Sequence, residues 1–231
     1  MATPRKLRGL VDRLTAHGDH VHTLELVPET PAPGFRPGQF LHLALDEYDP
    51  TSFWPDSRVF SIASSPTKRN RITISYSVRG RFTARMEREL TVGRPVWLKL
   101  PYGDFTVDAA RPAVLVAGGT GITAFTAFVA GLDPGHRQPV HVAYGARNPG
   151  LLIYRELLER QVRTVATLEL TLFSEQPAAG VNSGRVSAAR LTSQANADFY
   201  LSGPPGMIGA VTGELREHGV APQNIKVDAW E

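Results

Sequence analysis

The first half of the chain is a succession of short apolar or alternating runs separated by glycine and proline. Lys6–Leu14, His20–Val27, Gln39–Leu45, Arg58–Ala63, Arg71–Val78 and Pro95–Leu100 each have the length and composition of a strand. In Arg71-Ile-Thr-Ile-Ser-Tyr-Ser-Val78, apolar and polar positions alternate for most of the run, as in a strand buried on one face. Several such short strands with turn signals between them predict an antiparallel barrel or sandwich. Phe82, Met86 and Leu90 recur at a spacing of four and predict one helix over Thr83–Leu90.

From Arg111 the rhythm changes. Strand-like Ala113–Ala117, Val140–Tyr144, Leu168–Phe173, Asp198–Leu201 and Ile225–Val227 alternate with helix-like Ala124–Leu132, Leu151–Gln161, Val186–Thr192 and Met207–His218. This alternation predicts βαβ units and a parallel sheet. Asp108-Ala-Ala-Arg-Pro112 reads as the linker. The expected organisation is an antiparallel β-barrel domain over 1–107 followed by an α/β parallel-sheet domain over 111–231. A length of 231 residues is compatible with two compact domains.

Composition narrows the chemistry. With 42% hydrophobic and 20% charged residues, the chain has the make-up of a soluble globular protein rather than a disordered one. It contains no cysteine, which excludes disulfides, a thiolate nucleophile and cysteine-ligated zinc or iron–sulfur centres in these residues. A net charge of +3 does not by itself argue for nucleic acid. The basic N-terminal residues are not followed by an apolar signal core. Ala113–Leu132 carries no charge, but Gly118-Gly119-Thr120-Gly121 divides it, so it reads as buried strand, turn and helix rather than a membrane span. A cytoplasmic location is expected. His20 and His22 share one strand face, but two ligands without a third predict packing and no metal site.

Two glycine-rich turns follow predicted parallel strands. In Val114-Leu-Val-Ala-Gly-Gly-Thr-Gly-Ile-Thr-Ala-Phe125 a buried strand runs into Gly119-x-Gly121-x-x-Ala124 and then a helix. Glycine permits close backbone approach to a ligand, and exposed N–H groups at a helix start favour phosphate. The acidic ribose ligand expected after the next strand is missing, because that strand ends Tyr144-Gly-Ala-Arg147. The turn therefore fits either a phosphate site or an ordinary tight connection. Phe199-Tyr-Leu-Ser-Gly-Pro-Pro-Gly-Met207 is the second such loop, either a crevice wall or a rigid connector. In the first half, Arg58-Val-Phe-Ser61 offers a guanidinium, and Gly80-Arg-Phe-Thr83 offers an N-cap threonine at a helix start; both suit an anion.

Arg58-x-Phe60-Ser61, Gly80-x-x-Thr83, Gly119-Thr-Gly-Ile122 and Ser202-Gly-Pro-Pro205, in this order and spacing, resemble the ferredoxin–NADP reductase superfamily. Pro37-Gly-Gln-Phe40 and Pro101-Tyr-Gly103 are similar to its framework positions, so the resemblance covers nearly the whole chain. It implies a flavin-binding barrel, holding FAD, followed by a pyridine-nucleotide domain, and the chemistry of an NAD(P)H-dependent flavoprotein reductase. By this resemblance, Arg58 meets the flavin phosphate, Phe60 lies along the ribityl or ring, and Ser61 lies near N5. The Gly80–Thr83 turn, with Phe82, holds the pyrophosphate, and Ser64, Tyr76 and Val78 complete the flavin site. Gly119, Thr120, Gly121, Ile122 and Thr123 cradle the nicotinamide nucleotide, with Arg147, Ser174, Gly203, Pro204, Pro205 and Met207 around it. Ser202 faces the nicotinamide. Asp228-Ala-Trp230 resembles the family's acid-x-aromatic ending, in which the aromatic covers the flavin. The catalytic set implied is Ser61, Ser202, Asp228 and Trp230. The chain departs from the family pattern at Phe60 for tyrosine, Ser202 for cysteine, Asp228 for glutamate, and Glu231 beyond the aromatic.

NADP-specific relatives look like Ser-Arg after the third parallel strand. Here Ser174 is followed by Glu175, whose carboxylate repels a 2′-phosphate, which favours NADH over NADPH. Arg147, Arg163 and Arg185 leave NADPH open. The chain has neither the length nor the cysteines of a fused iron–sulfur domain, so electrons are expected to pass to a separate partner: an acidic ferredoxin or flavodoxin, or an oxygenase component. Between Pro66 and Leu90, Lys68, Arg69, Arg71, Arg79, Arg81, Arg85 and Arg88 stand against Glu87 and Glu89; seven minus two leaves +5. That excess suits either partner docking or a solvated face. Two other functions fit the same residues: an NAD(P)H:flavin reductase that uses free flavin, and a flavin- or nucleotide-binding regulatory subunit without turnover.

Overall fold

The computed structural model describes residues 3–188, 191 and 196–228. It divides into two compact units, Met1–Thr106 and Val107–Glu231.

The first unit contains β1 (Arg5–Gly18), β2 (Val21–Pro28), β3 (Phe40–Ala44), β4 (Ser57–Ser61), β5 (Ile72–Ser77), α1 (Arg81–Glu89) and β6 (Pro95–Tyr102). The strands form one antiparallel sheet in the order β4-β3-β6-β1-β2-β5. Leu24, Leu26, Leu41, Leu43, Ile72, Ile74 and Leu98 are fully buried on its inner face, as the alternation predicts. The sheet curls into a near-barrel whose two edges meet at a seam. Just beyond β4, the Ala63 N–H donates to Thr73 O at 2.8 Å, and the Thr73 N–H donates to Ser64 Oγ at 3.1 Å. Helix α1 inserts Phe82 and Met86 into the core. It begins at Arg81, two residues before the position expected from its apolar spacing, because Gly80 is the N-cap. The β1–β2 turn places Gly18, Asp19 and His20 at φ values of 90°, 49° and 58°; glycine enters this left-handed region freely, and aspartate and histidine enter it more readily than most residues.

The second unit contains β7 (Ala113–Gly118), α2 (Thr123–Ala130), β8 (Val140–Ala146), α3 (Arg155–Thr164), β9 (Leu168–Ser174), β10 (Asn182–Ser183), β11 (Asp198–Ser202), α4 (Pro205–Glu217) and β12 (Ile225–Asp228). All neighbours pair in parallel, in the order β10-β9-β8-β7-β11-β12. The chain leaves β7 in one direction to β8 and returns on its other side at β11, so the ends of β7 and β11 flank the topological switch point. Every residue of β7 is buried, as is every residue of α2 from Thr123 to Val129. This accounts for the uncharged run at 113–132, and among the described residues no helix is long and apolar enough to cross a membrane.

One predicted helix is corrected. Val186 and Ser187 are not helical, and residues 189–190 and 192 of that segment lie outside the described residues. Val186 is buried against β8, where a Cβ on Gly145 would come within 2.6 Å of its methyl group. Ser187 Oγ and the Ala188 N–H both donate to Glu214 on α4. Helical bonding starts only at Ala188, in a 3-10 turn where the Leu191 N–H donates to Ala188 O at 2.8 Å.

Candidate functional site

In the first unit the candidate residues gather around the seam and the start of α1. Arg58 is exposed on β4, where Nη1 donates to Asp56 Oδ1 at 3.1 Å and to Ser57 O at 2.8 Å. Its guanidinium lies 5.5 Å from the centre of the Phe82 ring, above the first turn of α1. The first bond within that helix runs from the Ala84 N–H to Gly80 O, so the Arg81, Phe82 and Thr83 N–H groups have no acceptor inside it. A fixed cation and a helix N-terminus thus occupy one end of the seam, an arrangement suited to phosphate.

Thr83 is not the N-cap. It is the third helical residue, and its Oγ accepts from the Arg79 N–H at 2.9 Å and the Gly80 N–H at 3.2 Å. Its hydroxyl therefore shapes the turn. Ser64 likewise ties the seam through Thr73. Ser61 is buried at the end of β4, and half-buried Val78 donates its N–H to His20 O.

Phe60 meets Tyr76 across the seam with ring centres 6.1 Å apart. Tyr76 is itself buried and stacks on His22 at 5.2 Å. His22 Nε2 and His20 Nδ1 both bond to Glu87 Oε1, at 2.9 and 2.8 Å, and these two bonds hold the Glu87 carboxyl below its usual range. Burial raises the Tyr76 phenol, which keeps it protonated as a donor, and its hydroxyl has no partner among the described residues. Sequence reasoning placed His20 and His22 on one face but missed Glu87, 65 residues downstream of His22.

The basic run in this unit is not a free patch. Arg71 pairs with Asp12 and Glu25, and Arg85 pairs with Asp46 and Glu89. The pairs around them bring in Asp12, Glu25 and Asp46 and also Arg13 and Arg94, so nine cations stand against five carboxylates, nine minus five leaving +4. The earlier +5 considered only neighbours in sequence.

In the second unit the two glycine loops at the switch point pack backbone against backbone. A Cβ on Gly121 would lie 2.3 Å from Ser202 O and 2.7 Å from Gly203 N. One on Gly118 would lie 2.6 Å from Met207 Sδ and 2.9 Å from Pro204 Cδ. One on Gly203 would lie 2.8 Å from Met207 Cε and 3.0 Å from Gly118 N. The bareness of these three glycines is thus used within the protein. Gly119 differs: its φ is +55° and the space beside it is open. A 3-10 turn over Gly119–Ile122 separates β7 from α2, and only Gly119, Thr120 and Gly121 reach the surface there. Ile122 is fully buried, and the buried Thr123 donates its hydroxyl to Thr120 O at 2.8 Å.

Gly203, Pro204 and Met207 are half-exposed and Pro205 is exposed along the opposing loop. Ser202 is buried at the end of β11, and its Oγ donates to buried Asp228 Oδ2 at 2.9 Å, the register partner on β12. Trp230 lies outside the described residues. Arg147 is exposed just after β8. Ser174, at the end of β9, is fully buried, with its Oγ accepting from the Gln176 N–H at 3.1 Å. The surface there is formed instead by Glu175 and Arg185, whose Oε1 and Nε are 3.1 Å apart.

Residues 115–213 match the oxidoreductase NAD-binding domain family. The chain is similar to ferredoxin reductase-type flavin-dependent oxidoreductases, and its second unit carries their NAD-binding domain. It is 28% identical over 224 residues to the propane 2-monooxygenase reductase component of Mycolicibacterium goodii, covering 90% of this chain and 63% of that protein. It is 30% identical over 201 residues to the toluate 1,2-dioxygenase electron transfer component of Pseudomonas putida, covering 83% and 57% respectively. The chain therefore spans about three-fifths of the length of these curated relatives. The flavohem-like FAD/NAD binding domain of the Vibrio cholerae nitric oxide dioxygenase superposes with a TM-score of 0.83 at 21% identity, covering 97% of this chain and 98% of that one. The near-barrel and the parallel sheet thus match a known fold.

Proposed function

We propose that this chain is an FAD-dependent reductase that oxidises NAD(P)H and passes electrons to a separate protein, a ferredoxin-like carrier or an oxygenase component. The observation that carries the reading is the Arg58 guanidinium over the Phe82 ring in the first turn of α1, whose opening N–H groups have no acceptor inside the helix, in the same unit as a Tyr76 hydroxyl without a partner among the described residues. The residues present fit a phosphorylated cofactor: one cation, a helix start and a buried donor lacking an acceptor lie along one seam. When bound, FAD supplies the two-electron to one-electron conversion that no side chain here can perform.

The chain's own residues bind and orient. Arg58 and the Gly80–Thr83 turn hold the flavin's phosphates, Thr83 through the turn it shapes. Phe60, Ser61, Tyr76 and Val78 flank the rest of the flavin, and Ser64 keeps the seam closed. Gly119–Gly121, Gly203–Met207 and Arg147 receive the pyridine nucleotide, supported from beneath by Ile122, Thr123 and Ser174. Ser202 and Asp228 set the polar end of that cleft. The Glu175 carboxylate favours NADH over NADPH by repelling a 2′-phosphate. The exposed Lys68, Arg79, Arg81 and Arg88 face an acidic partner. The two curated relatives are named as an electron transfer component and a reductase component of oxygenases, which supports a separate acceptor.

The test is direct. Purified protein should stay yellow through gel filtration and bleach anaerobically with NADH, and cytochrome c reduction should rise when a ferredoxin is added. A colourless protein that reduces added free flavin would point to a flavin reductase instead. A yellow protein that NADH does not bleach would point to a regulatory subunit.

A further inference from the structure

Met207 is the third residue of α4 and sits where the two glycine loops close on each other. Its N–H donates to Pro204 O at 2.9 Å, which ties it to the loop it follows. Sδ lies 2.6 Å from the position a Cβ on Gly118 would take, and Cε lies 2.8 Å from the corresponding position on Gly203. The thioether is therefore wedged between the last residue of β7 and the turn after β11. Inward, Met207 packs on the core cluster of the second unit; outward, it is half-exposed. Met86, by contrast, is fully buried in the core of the first unit. The chain has no cysteine, so among the described residues Met207 carries the sulfur most open to solvent.

We infer that Met207 is a site of reversible oxidation by hydrogen peroxide, and that its sulfoxide closes the nucleotide crevice to its ligand. This rests on the proposal that the second unit binds a pyridine nucleotide. In the step, a lone pair on Sδ attacks one peroxide oxygen, so an S–O bond forms and the O–O bond breaks. The departing hydroxide takes the proton from the sulfur-bound oxygen and leaves as water. Sulfur loses two electrons and the peroxide gains them. A reduced flavin that loses its electrons to dioxygen releases this oxidant, so a reductase turning over without its acceptor produces it. The product is a polar, chiral group where an apolar one was packed. Gly118 and Gly203 press on the thioether with backbone atoms, which cannot rotate aside, so the added oxygen forces the two lips of the crevice apart. The same glycines that let the loops meet thus make the joint sensitive to one oxygen atom.

The test treats the purified protein with hydrogen peroxide and follows it by peptide mass spectrometry and by calorimetric titration with NAD⁺. Met207 should gain one oxygen well before Met86. Affinity for NAD⁺ should then fall about tenfold, the scale of overpacking at a tight joint, and methionine sulfoxide reductase should restore it. Met207→Leu keeps apolar bulk but lacks the sulfur, so its own affinity, whatever its starting value, should be the same before and after peroxide. Complete oxidation of Met207 with unchanged affinity would overturn the inference and leave the nucleotide site standing. An equal loss in peroxide-treated Met207→Leu, a loss that the reductase does not reverse, or failure of Met207 to oxidise ahead of Met86 would do the same. If the untreated protein does not bind NAD⁺, the nucleotide-binding reading itself fails and takes the inference with it.

Discussion

Gly121→Ala and Gly119→Ala separate the two uses of glycine in the turn after β7. At Gly121 an added Cβ would stand 2.3 Å from the Ser202 carbonyl oxygen, and ordinary contact begins near 3.4 Å, so the two loops must part by 3.4 minus 2.3, or 1.1 Å. The atoms in the way are backbone, which cannot rotate aside as a side chain would. Ser202 is also held by its bond to Asp228 and by its place in β11. Overpacking of this kind costs about 1–3 kcal/mol, and the backbone clash puts Gly121→Ala at the upper end. At Gly119 the surrounding space is open, and the penalty is only that of a left-handed residue, about 1 kcal/mol. At about 2–4 °C per kcal/mol, calorimetry should show Tm falling by roughly 6–12 °C for Gly121→Ala and by about 2–4 °C for Gly119→Ala. AMP binding should be lost mainly in the first, because its loop is displaced. Equal Tm losses, or a Gly121→Ala variant within about 2 °C of wild type, would refute the loop–loop packing and return Gly121 to a ligand-facing role.

Arg58→Ala should leave the fold intact and loosen flavin by about ten- to a hundredfold, the loss of one charge-assisted phosphate contact; unchanged flavin occupancy after gel filtration would remove the residue from the site. Ser202→Ala should destabilise by about 1–3 kcal/mol, since the buried Asp228 carboxylate loses a donor, and a denaturant midpoint unchanged from wild type would count against that bond. Desolvation lowers His141, partly opposed by Glu169, so the unfolded chain takes up its proton before the folded one does. The contribution of His141 to stability is therefore complete above its unfolded value near pH 6.5 and is lost as pH falls through the lower folded value. His141→Gln should flatten the decline of Tm as pH falls below about 6.5, and a slope identical to wild type would show that this buried imidazole is not involved.

How much of this was legible in the sequence follows from the range of the interactions. The strands and four of the helices could be read because burial on one face leaves a local period, clearest in Ile72, Ile74 and Tyr76. The segment after Ser183 could not be placed from local pattern, because what buries Val186 is Gly145, about forty residues earlier. Neighbour counting missed the partners of the charged side chains in the same way. Arg71 meets Asp12, and Arg85 meets Asp46, across strands that the linear sequence keeps far apart. Thr83 was assigned the wrong duty because a threonine near a helix start suits both the N-cap and the third position, and only the backbone distinguishes them.

The glycine signals raise a more general point about the site. A strand–glycine–helix pattern is commonly taken to mean that a ligand's phosphate needs the space. Here Gly118, Gly121 and Gly203 are bare because two protein loops need that space from each other, and Gly119 alone faces an open cleft with a backbone angle that glycine favours. The packing still serves binding. By bringing the end of β7 against the end of β11, the close approach fixes both lips of the switch-point crevice and presents Gly119, Thr120 and Gly121 at its surface. A larger residue at 118, 121 or 203 would widen the crevice before it touched any ligand. Whatever selection acts on nucleotide binding in this chain must therefore act first on the fit between these loops. The pattern marks a site because it marks the joint that holds the site's walls.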